Sequence, residues 1–374
     1  MSKMQKKRKT KRILIILGIE LLIVIGLIIA WFVSRINRSM DSMQHDDTKK
    51  EDITVSDAVT EVMESDYTTI ALFGIDTRES NVDLTQPGAG HSDAIIIASI
   101  NNKTKEVKLV SVYRDAFLET TTATPNNRKV TEMYALGGPI GSIETLNKNL
   151  DLNITDYIAV DFTALTKAID ALGGVTINVK EKELNNLNHN LEEQNEVTGI
   201  YSEGVWSAGE QTLNGAQATA YARIRKVGNN DFERTQRQRA VISAMIDKAK
   251  QSDIKSLTSA MDEVFPLIAT TMEKSQMLSM GTDLLSYSLG DNTGFPLANE
   301  TPTLGSKGSV VVPANLLSNV KQLHLFLYPE DTEYTPSSEV QRISDSITNE
   351  TGIGDEFTED KTTEEPTATN SSDQ

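Results

Sequence analysis

The run ILIILGIELLIVIGLIIAWFV, Ile13 to Val33, constrains this chain more than any other stretch of it. As a helix rising about 1.5 Å per residue, it is long enough to cross a bilayer core of roughly 30 Å. Seven basic residues lie within residues 1–12, whereas only Arg35 and Arg38 follow the run closely. That asymmetry predicts a cytoplasmic N-terminus and places everything after about residue 34 outside the membrane. AWFVSRINRSM offers no A-x-A-like cleavage site, so the run reads as an uncleaved single-pass anchor. Glu20, inside the run, reads as a neutral glutamic acid tolerated in one anchor helix.

Outside this anchor the chain is strongly acidic. Residues 1–39 hold 9 of the 36 Lys and Arg and 1 of the 53 Asp and Glu, which leaves a net charge of -25 for the remainder. The absence of cysteine excludes disulfides, thiolate catalysis and cysteine-based metal centres. The four histidines, His45, His91, His189 and His324, show no metal-ligand spacing.

Composition divides the chain into a basic segment over 1–12, the anchor over 13–33, a polar linker over 34–65, a folded region over 66–330 and an acidic, disordered tail over 331–374. In the folded region β-rich runs alternate with helical patterns. TTIALFG (68–74), SDAIIIASI (92–100), EVKLVSVY (106–113), DYIAVDF (156–162), VTINV (175–179) and SVVVP (309–313) read as strands. Helices are expected at 140–150, 162–172, 214–222, 234–250, 255–264 and 274–287, the fourth burying Val241, Ile242, Met245 and Ile246. The alternation predicts an α/β layered domain.

Ligands of open α/β sheets bind beyond the carboxyl ends of strands. Asp76-Thr77-Arg78 follows the first strand, Gly90-His91-Ser92-Asp93 opens the second, and Arg114-Asp115 follows the third. Each cluster alone could be a turn or a surface ion pair; their repetition at one sheet edge is the signal. YARIRKVGNNDFERTQRQR (221–239) adds Arg223 and Arg225, two apart, and Arg234 and Gln238, four apart on one helix face. Asp231, with Asn230, is placed to cap that helix. Guanidiniums beside a helix start suit a phosphate. A nucleic acid is a poor partner for a domain of this negative charge without interleaved aromatics. No GxxxxGK[ST], GxSxG or GxGxxG motif occurs.

FGIDTR, GHSDAIIIASIN, KLVSVYRD, DYIAVDF, ALGGV, LNGAQATAYARIR and NNDFERTQRQR together resemble the LytR-CpsA-Psr proteins of Gram-positive cell envelopes, over about residues 68–330. The resemblance implies a layered α-β-α domain with a central mixed sheet. It also implies a phosphotransferase that moves an anionic glycopolymer, such as teichoic acid or capsular polysaccharide, from an undecaprenyl-pyrophosphate carrier to peptidoglycan. The polyprenyl tail would lie between sheet and helices. Asp76 and Asp93 match the acids that hold Mg²⁺; Arg78, Arg114, Arg223, Arg225, Arg234 and Gln238 match the groups around the pyrophosphate, with Asp115 and Asp231 as supporting acids. This chain has His91, expected at the pyrophosphate, where many members have Arg, Tyr113 where many have Pro, and Glu132-Met133 where many have Asn or His followed by Ala. A regulatory polyprenyl-phosphate-binding module and a lipid-pyrophosphate hydrolase remain the alternatives.

Overall fold

The computed structural model describes residues 34–77, 82–198, 201–225, 227 and 230–355. The expected anchor over 13–33 lies outside them. Among the described residues no helix is long and apolar enough to cross a membrane.

In chain order the elements that matter are strand β1 (Gln44–His45), helix α1 (Glu61–Asp66), strands β2 (Tyr67–Asp76), β3 (His91–Asn101), β4 (Glu106–Val112), β5 (Phe117–Glu119) and β6 (Asn127–Lys129), and helix α2 (Glu132–Leu150). There follow β7 (Asp156–Asp161), α3 (Phe162–Ala171), β8 (Val175–Val179), α4 (Leu184–Thr198), β9 (Gly209–Leu213), α5 (Gly215–Ala222), α6 (Asn230–Gln251) and α7 (Ile254–Val264). The chain continues through β10 (Ile268–Thr270), α8 (Lys274–Thr282), β11 (Ser288–Phe295), α9 (Leu316–Leu327) and α10 (Ser338–Thr351).

Seven strands form one mixed sheet in the order β1-β10-β7-β2-β3-β4-β11. Strand β3 is central and nearly every residue in it is buried, which is why its sequence is almost continuously apolar instead of alternating. One sheet face presents Phe73, Ile75, Ile95, Ile97, Val110 and Val112 to Ile143 and Leu146 of α2, Val320 and Leu323 of α9, and Ile343 and Ile347 of α10. The other presents Ile70, Ile96, Ala98 and Leu109, with Leu72, Val107 and Ile158 only partly buried, against Ile242, Met277 and Met280. The result is the expected α-β-α layering, tightly covered on one face and loosely on the other. A third cluster joins α3, the paired strands β8 and β9, α4, α5 and α6, and includes Ile224 and Val227 of the arginine-rich stretch.

Both expected domain boundaries move outward. The supposed linker contributes buried Met40, Ile53 and Met63 to the fold, β1 pairs with β10, and Lys50 Nζ reaches the carboxylate of Asp156 at 2.6 Å. The supposed tail begins too early: α10 buries Val340, Ile343, Ser344 and Ile347 on one stripe, so an acidic composition concealed an amphipathic helix. Within α6 only Val241 of the four expected core residues is fully buried; Ile242, Met245 and Ile246 are half-buried, Ile242 packing on the loosely covered face of the sheet and Met245 on the cluster that includes Val241. SVVVP shrinks to Val312–Pro313 plus a bridge from Val311 to Ala116, and the helix expected over 274–287 stops at Thr282.

Candidate functional site

Strands β2, β7 and β4 are mutually parallel, β11 runs with them, and β3 runs against them. The carboxyl ends of those four strands and the amino end of β3 therefore meet at one sheet edge. Asp76, His91, Asp93 and the Arg114-Asp115 pair all lie there. Asp76 and His91 are cross-strand partners, both exposed. The β2–β3 register slips between Gly74–Ala94 and Ile75–Ser92, which leaves Asp93 as the extra, bulged residue. A bulge re-aims a side chain next to a site. Gly90, at φ 138°, lets the incoming chain pass so near Asp76 that a Cβ would stand 2.7 Å from its carbonyl oxygen.

Asp93 is buried and gathers two guanidiniums. Its Oδ1 accepts from Arg114 Nη1 and its Oδ2 accepts from Arg225 Nη2. Arg114 also faces Asp115, whose Oδ1 lies 3.7 Å from Arg114 Nε and 3.1 Å from Lys129 Nζ. Thr131 ties this edge together: its N–H donates to the Arg114 carbonyl at 3.0 Å and its hydroxyl to the Ser92 carbonyl at 2.8 Å. Sequence reasoning missed Lys129. Its contact with Asp115 depends on the β5–β6 pairing, which places Lys129 opposite Phe117.

Helix α5 starts with a reciprocal cap, Asn214 accepting from Gln217 N–H while Gln217 reaches back to Asn214 N–H, and ends at Ala222. The chain is irregular at Ile224 and Arg225. Ile224 is fully buried between Arg223, which lies 4.9 Å above the Phe162 ring, and Arg225, which pairs with Asp93. The Ile224 carbonyl accepts from Arg237 Nη2 at 2.8 Å. Arg237 Nη1 also donates to Glu183 at 3.1 Å and Glu233 at 3.2 Å. Burial tends to raise the Glu233 carboxyl, but bonds from Lys182 and Arg237 outweigh it and hold it below the usual range. Arg239 Nε donates to Asn292 at 2.6 Å.

The arginines of the stretch thus divide by role. Arg223 and Arg225 reach the sheet edge, whereas Arg237 and Arg239 brace the fold. Arg234, expected at the ligand, is only 2% exposed and presents almost no surface to one. Gln238 is half-buried, and its Oε1 has no hydrogen-bond partner among the described residues. Arg78 lies outside the described residues. Asp231 falls inside the first turn of α6 instead of capping it, because the helix already starts at Asn230, and its side chain is outside the description. Tyr113 is buried with its ring 4.4 Å from that of Phe232 and its hydroxyl against Gly294; burial pushes it up to about 12, with Arg239 opposing. Tyr113 therefore packs the start of α6 onto the end of β4.

Asp76 and Asp93, on neighbouring strands, are the carboxylates expected to hold a divalent ion, and both oxygens of Asp93 here accept from guanidiniums. Among the described residues no group of three or more His, Asp or Glu could hold a metal alone. Mg²⁺ commonly takes one or two carboxylates with phosphate oxygens completing its shell, so the pair is sufficient in number for that expectation.

The LytR_cpsA_psr family model matches residues 30–291. The chain is 30% identical over 203 residues to the polyisoprenyl-teichoic acid–peptidoglycan teichoic acid transferase TagU of Bacillus licheniformis, covering 54% of this chain and 58% of that protein. It is 28% identical over 276 residues to TagU of Bacillus mycoides, covering 73% and 83%. Across three of the curated relatives the match spans 49% to 66% of their length. Among solved structures, protein gbs0355 from Streptococcus agalactiae superposes with a TM-score of 0.61 at 24% identity, covering 76% of this chain and 95% of the other. The family protein TagT, solved with bound octaprenyl pyrophosphate lipid, superposes with a TM-score of 0.50 at 19% identity, covering 80% and 97%.

Proposed function

This chain belongs to the LytR_cpsA_psr family, and from that premise we propose that it transfers an anionic glycopolymer from a polyprenyl-pyrophosphate carrier to peptidoglycan, leaving a phosphodiester. The observation that carries this reading is the Asp93-centred cluster, in which one buried carboxylate holds Arg114 and Arg225 at the sheet edge. The arginines are preassembled, and an incoming pyrophosphate takes them over from Asp93 by offering more oxygens of the same charge. Arg223, stacked on Phe162, supplies a third guanidinium from the same loop.

In the reaction the acceptor hydroxyl oxygen bonds to the phosphorus carrying the polymer. The bond from that phosphorus to the bridging oxygen breaks, and the lipid leaves as its monophosphate. Asp115 offers a carboxylate beside the reacting group to orient the hydroxyl and take its proton. Arg114 and Arg225 meet the charge that gathers on the bridging oxygen. Asp76 and Asp93 are the residues that would hold Mg²⁺, which supplies further neutralisation of phosphate oxygens. The half-buried apolar surface of Leu72, Val107 and Ile158 beneath α6 and α8 is the place for the polyprenyl chain. Residues 13–33 would anchor the protein in the cell membrane with this domain outside. Residues 34–40 are helical and Arg35 Nη2 pairs with Asp262 of α7 at 2.5 Å, which would hold the domain close to its anchor.

The test is incubation of the full chain with labelled lipid-linked glycopolymer, peptidoglycan oligomers and Mg²⁺. A covalent glycopolymer–peptidoglycan conjugate is expected. Free phosphorylated glycan would make the protein a hydrolase, and binding without turnover would make it a regulatory module.

A further inference from the structure

Beside the Asp93 cluster, along the β5–β6 hairpin, Asn126, Arg128, Lys129, Glu132, Ser306 and Lys307 line a cavity of about 280 Å³. Lys129 and Arg114 both face the same oxygen of Asp115, so cavity and cluster share a wall. The lining carries three cations and one carboxylate, and each cation is paired: Arg128 with Glu132 inside the cavity, Lys129 with Asp115 and Lys307 with Glu350 at its walls. Arg128 is oriented by its Nε bond to Asn126 Oδ1 at 2.8 Å, yet its side chain stays 42% exposed. Lys307 is braced from behind: its Nζ donates to the Asn127 carbonyl at 2.9 Å, pairs with Glu350 and lies 4.6 Å above the Phe117 ring.

The lining carboxylate, Glu132, is the first residue of α2 and accepts from Arg128 Nη1 at 3.3 Å. Thr131 makes no side-chain cap there. Glu132 therefore puts a negative charge where a helix start and a guanidinium both favour one. It is also one of the positions at which this chain departs from the pattern it resembles.

We propose that this cavity is a second anion subsite, taking a phosphodiester or carboxylate borne by the ligand that extends from the Asp93 cluster, with Glu132 as its built-in competitor. The proposal rests on the pyrophosphate reading of the cluster, because that fixes where the ligand starts. A chain held only at its pyrophosphate swings about that point; a second charged contact one side chain away sets the direction in which it leaves. A neutral glycan gains nothing from the cavity, so the subsite selects for charge. The anion has two possible sources, a phosphodiester of the donor polymer and a carboxylate of the peptidoglycan acceptor.

The test uses the full chain in detergent and three ligands: a polyprenyl pyrophosphate carrying a neutral disaccharide, the same lipid with a polyol phosphate on the disaccharide, and a soluble muropeptide with free carboxylates. Wild type is compared with Arg128→Gln, Lys307→Gln and Glu132→Gln, each checked by thermal unfolding. One anionic ligand is expected to gain about tenfold in affinity from the cavity, as one charge-assisted contact provides. That gain falls in Arg128→Gln and Lys307→Gln and grows in Glu132→Gln, while affinity for the neutral lipid holds constant. Dependence on the polyol phosphate assigns the site to the donor, and dependence on the muropeptide assigns it to the acceptor. Equal binding of all variants to both anionic ligands overturns the subsite even if the neutral lipid binds well. Failure of the lipids alone, with muropeptide binding still strengthened by Glu132→Gln, would instead remove the pyrophosphate reading.

Discussion

Replacing Arg237 by Met should disable the site from a distance. The Arg237 side chain is 4% exposed and that of Glu183 is 2% exposed, so the substitution leaves a buried carboxylate without its main cation. Breaking one side of such a pair costs about 3–5 kcal/mol, mostly the penalty of the stranded charge. The Ile224 carbonyl also loses its donor, and with it goes the restraint on the segment between Arg223 and Arg225. At about 2–4 °C per kcal/mol for a domain of this order, the melting temperature should fall by roughly 6–20 °C. Transfer measured well below that temperature should still drop about 10- to 100-fold in kcat/KM, since displacement of a positioned charge by an ångström costs that much. Arg237→Lys should keep most of the stability, because Glu183 retains a cation, yet show reduced transfer because one ammonium cannot span all three oxygens. The double change Arg237→Met with Glu183→Met should melt higher than Arg237→Met alone. Denaturation and turnover of the four proteins in one detergent decide the matter. If Arg237→Met melts within about 2 °C of wild type and transfers normally, the brace has no part in holding the arginines.

Three further outcomes are expected of the same fold. Ending the chain at residue 330 removes Val340, Ile343 and Ile347 from the core, each worth about 1.5–3 kcal/mol, so the product should be protease-sensitive and should not melt cooperatively. His324 is buried, donates from Nε2 to the Leu150 carbonyl and stacks on Tyr334; burial lowers its pKa from 6.5 to about 4, against the pull of that bond and of Asp151 and Asp331. Below pH 6.5 the unfolded chain binds this proton and the folded chain does not, so stability should fall between pH 6.5 and 4 by about 3 kcal/mol, and His324→Gln should flatten the melting profile over that window. Asp93→Asn should cut transfer by about 100-fold or more with little change in folding, and chelation of Mg²⁺ should act on wild type but not further on the variant; an Asp93→Asn enzyme that stays active and chelator-sensitive would remove Asp93 from the proposed metal pair.

What could be read from the sequence, and what could not, follows physical lines. Strands β2, β3 and β4 were legible because burial on both faces of a sheet demands long apolar runs, and their polar ends pointed to the edge where Asp76, Asp93 and Arg114 meet. Strand β11, SLGDNTGF, was missed because it pairs only with β4, at the sheet's edge, and its residues are mostly half-exposed, so nothing in it had to be apolar. Helix α10 was hidden by overall acidity, although Val340, Ile343 and Ile347 repeat at helical spacing. Lys129 carried no local signal, since its link to Asp115 exists only once β5 and β6 pair. Nor could spacing sort the helix: Arg234 and Arg237 are both buried while Gln238 is half-buried, and the pairing of Arg237 with Glu183 depends on a different element.

So acidic a chain can keep the proposed anion site because the charges of that site are balanced in advance. Arg114, Arg225 and Arg237 are each already matched with a carboxylate, but the pairs differ in what they can exchange. Glu183 and Arg237 are sealed from water, so no ligand can compete for that guanidinium and the pair can only brace. Asp93 is buried, yet its partner Arg225 has a side chain 51% exposed, so solvent and ligand reach the guanidinium from the open side. Bare arginines clustered at one edge would repel each other and disorder the loop before any ligand arrived. A carboxylate beneath them removes that repulsion and fixes their direction, at the cost of lowering affinity for anions generally. A pyrophosphate can overcome this competition because it brings several charged oxygens at once, whereas a monoanion cannot. Asp93 therefore serves selectivity as much as assembly, and its substitution should loosen discrimination between pyrophosphate and simple anions even where binding itself survives.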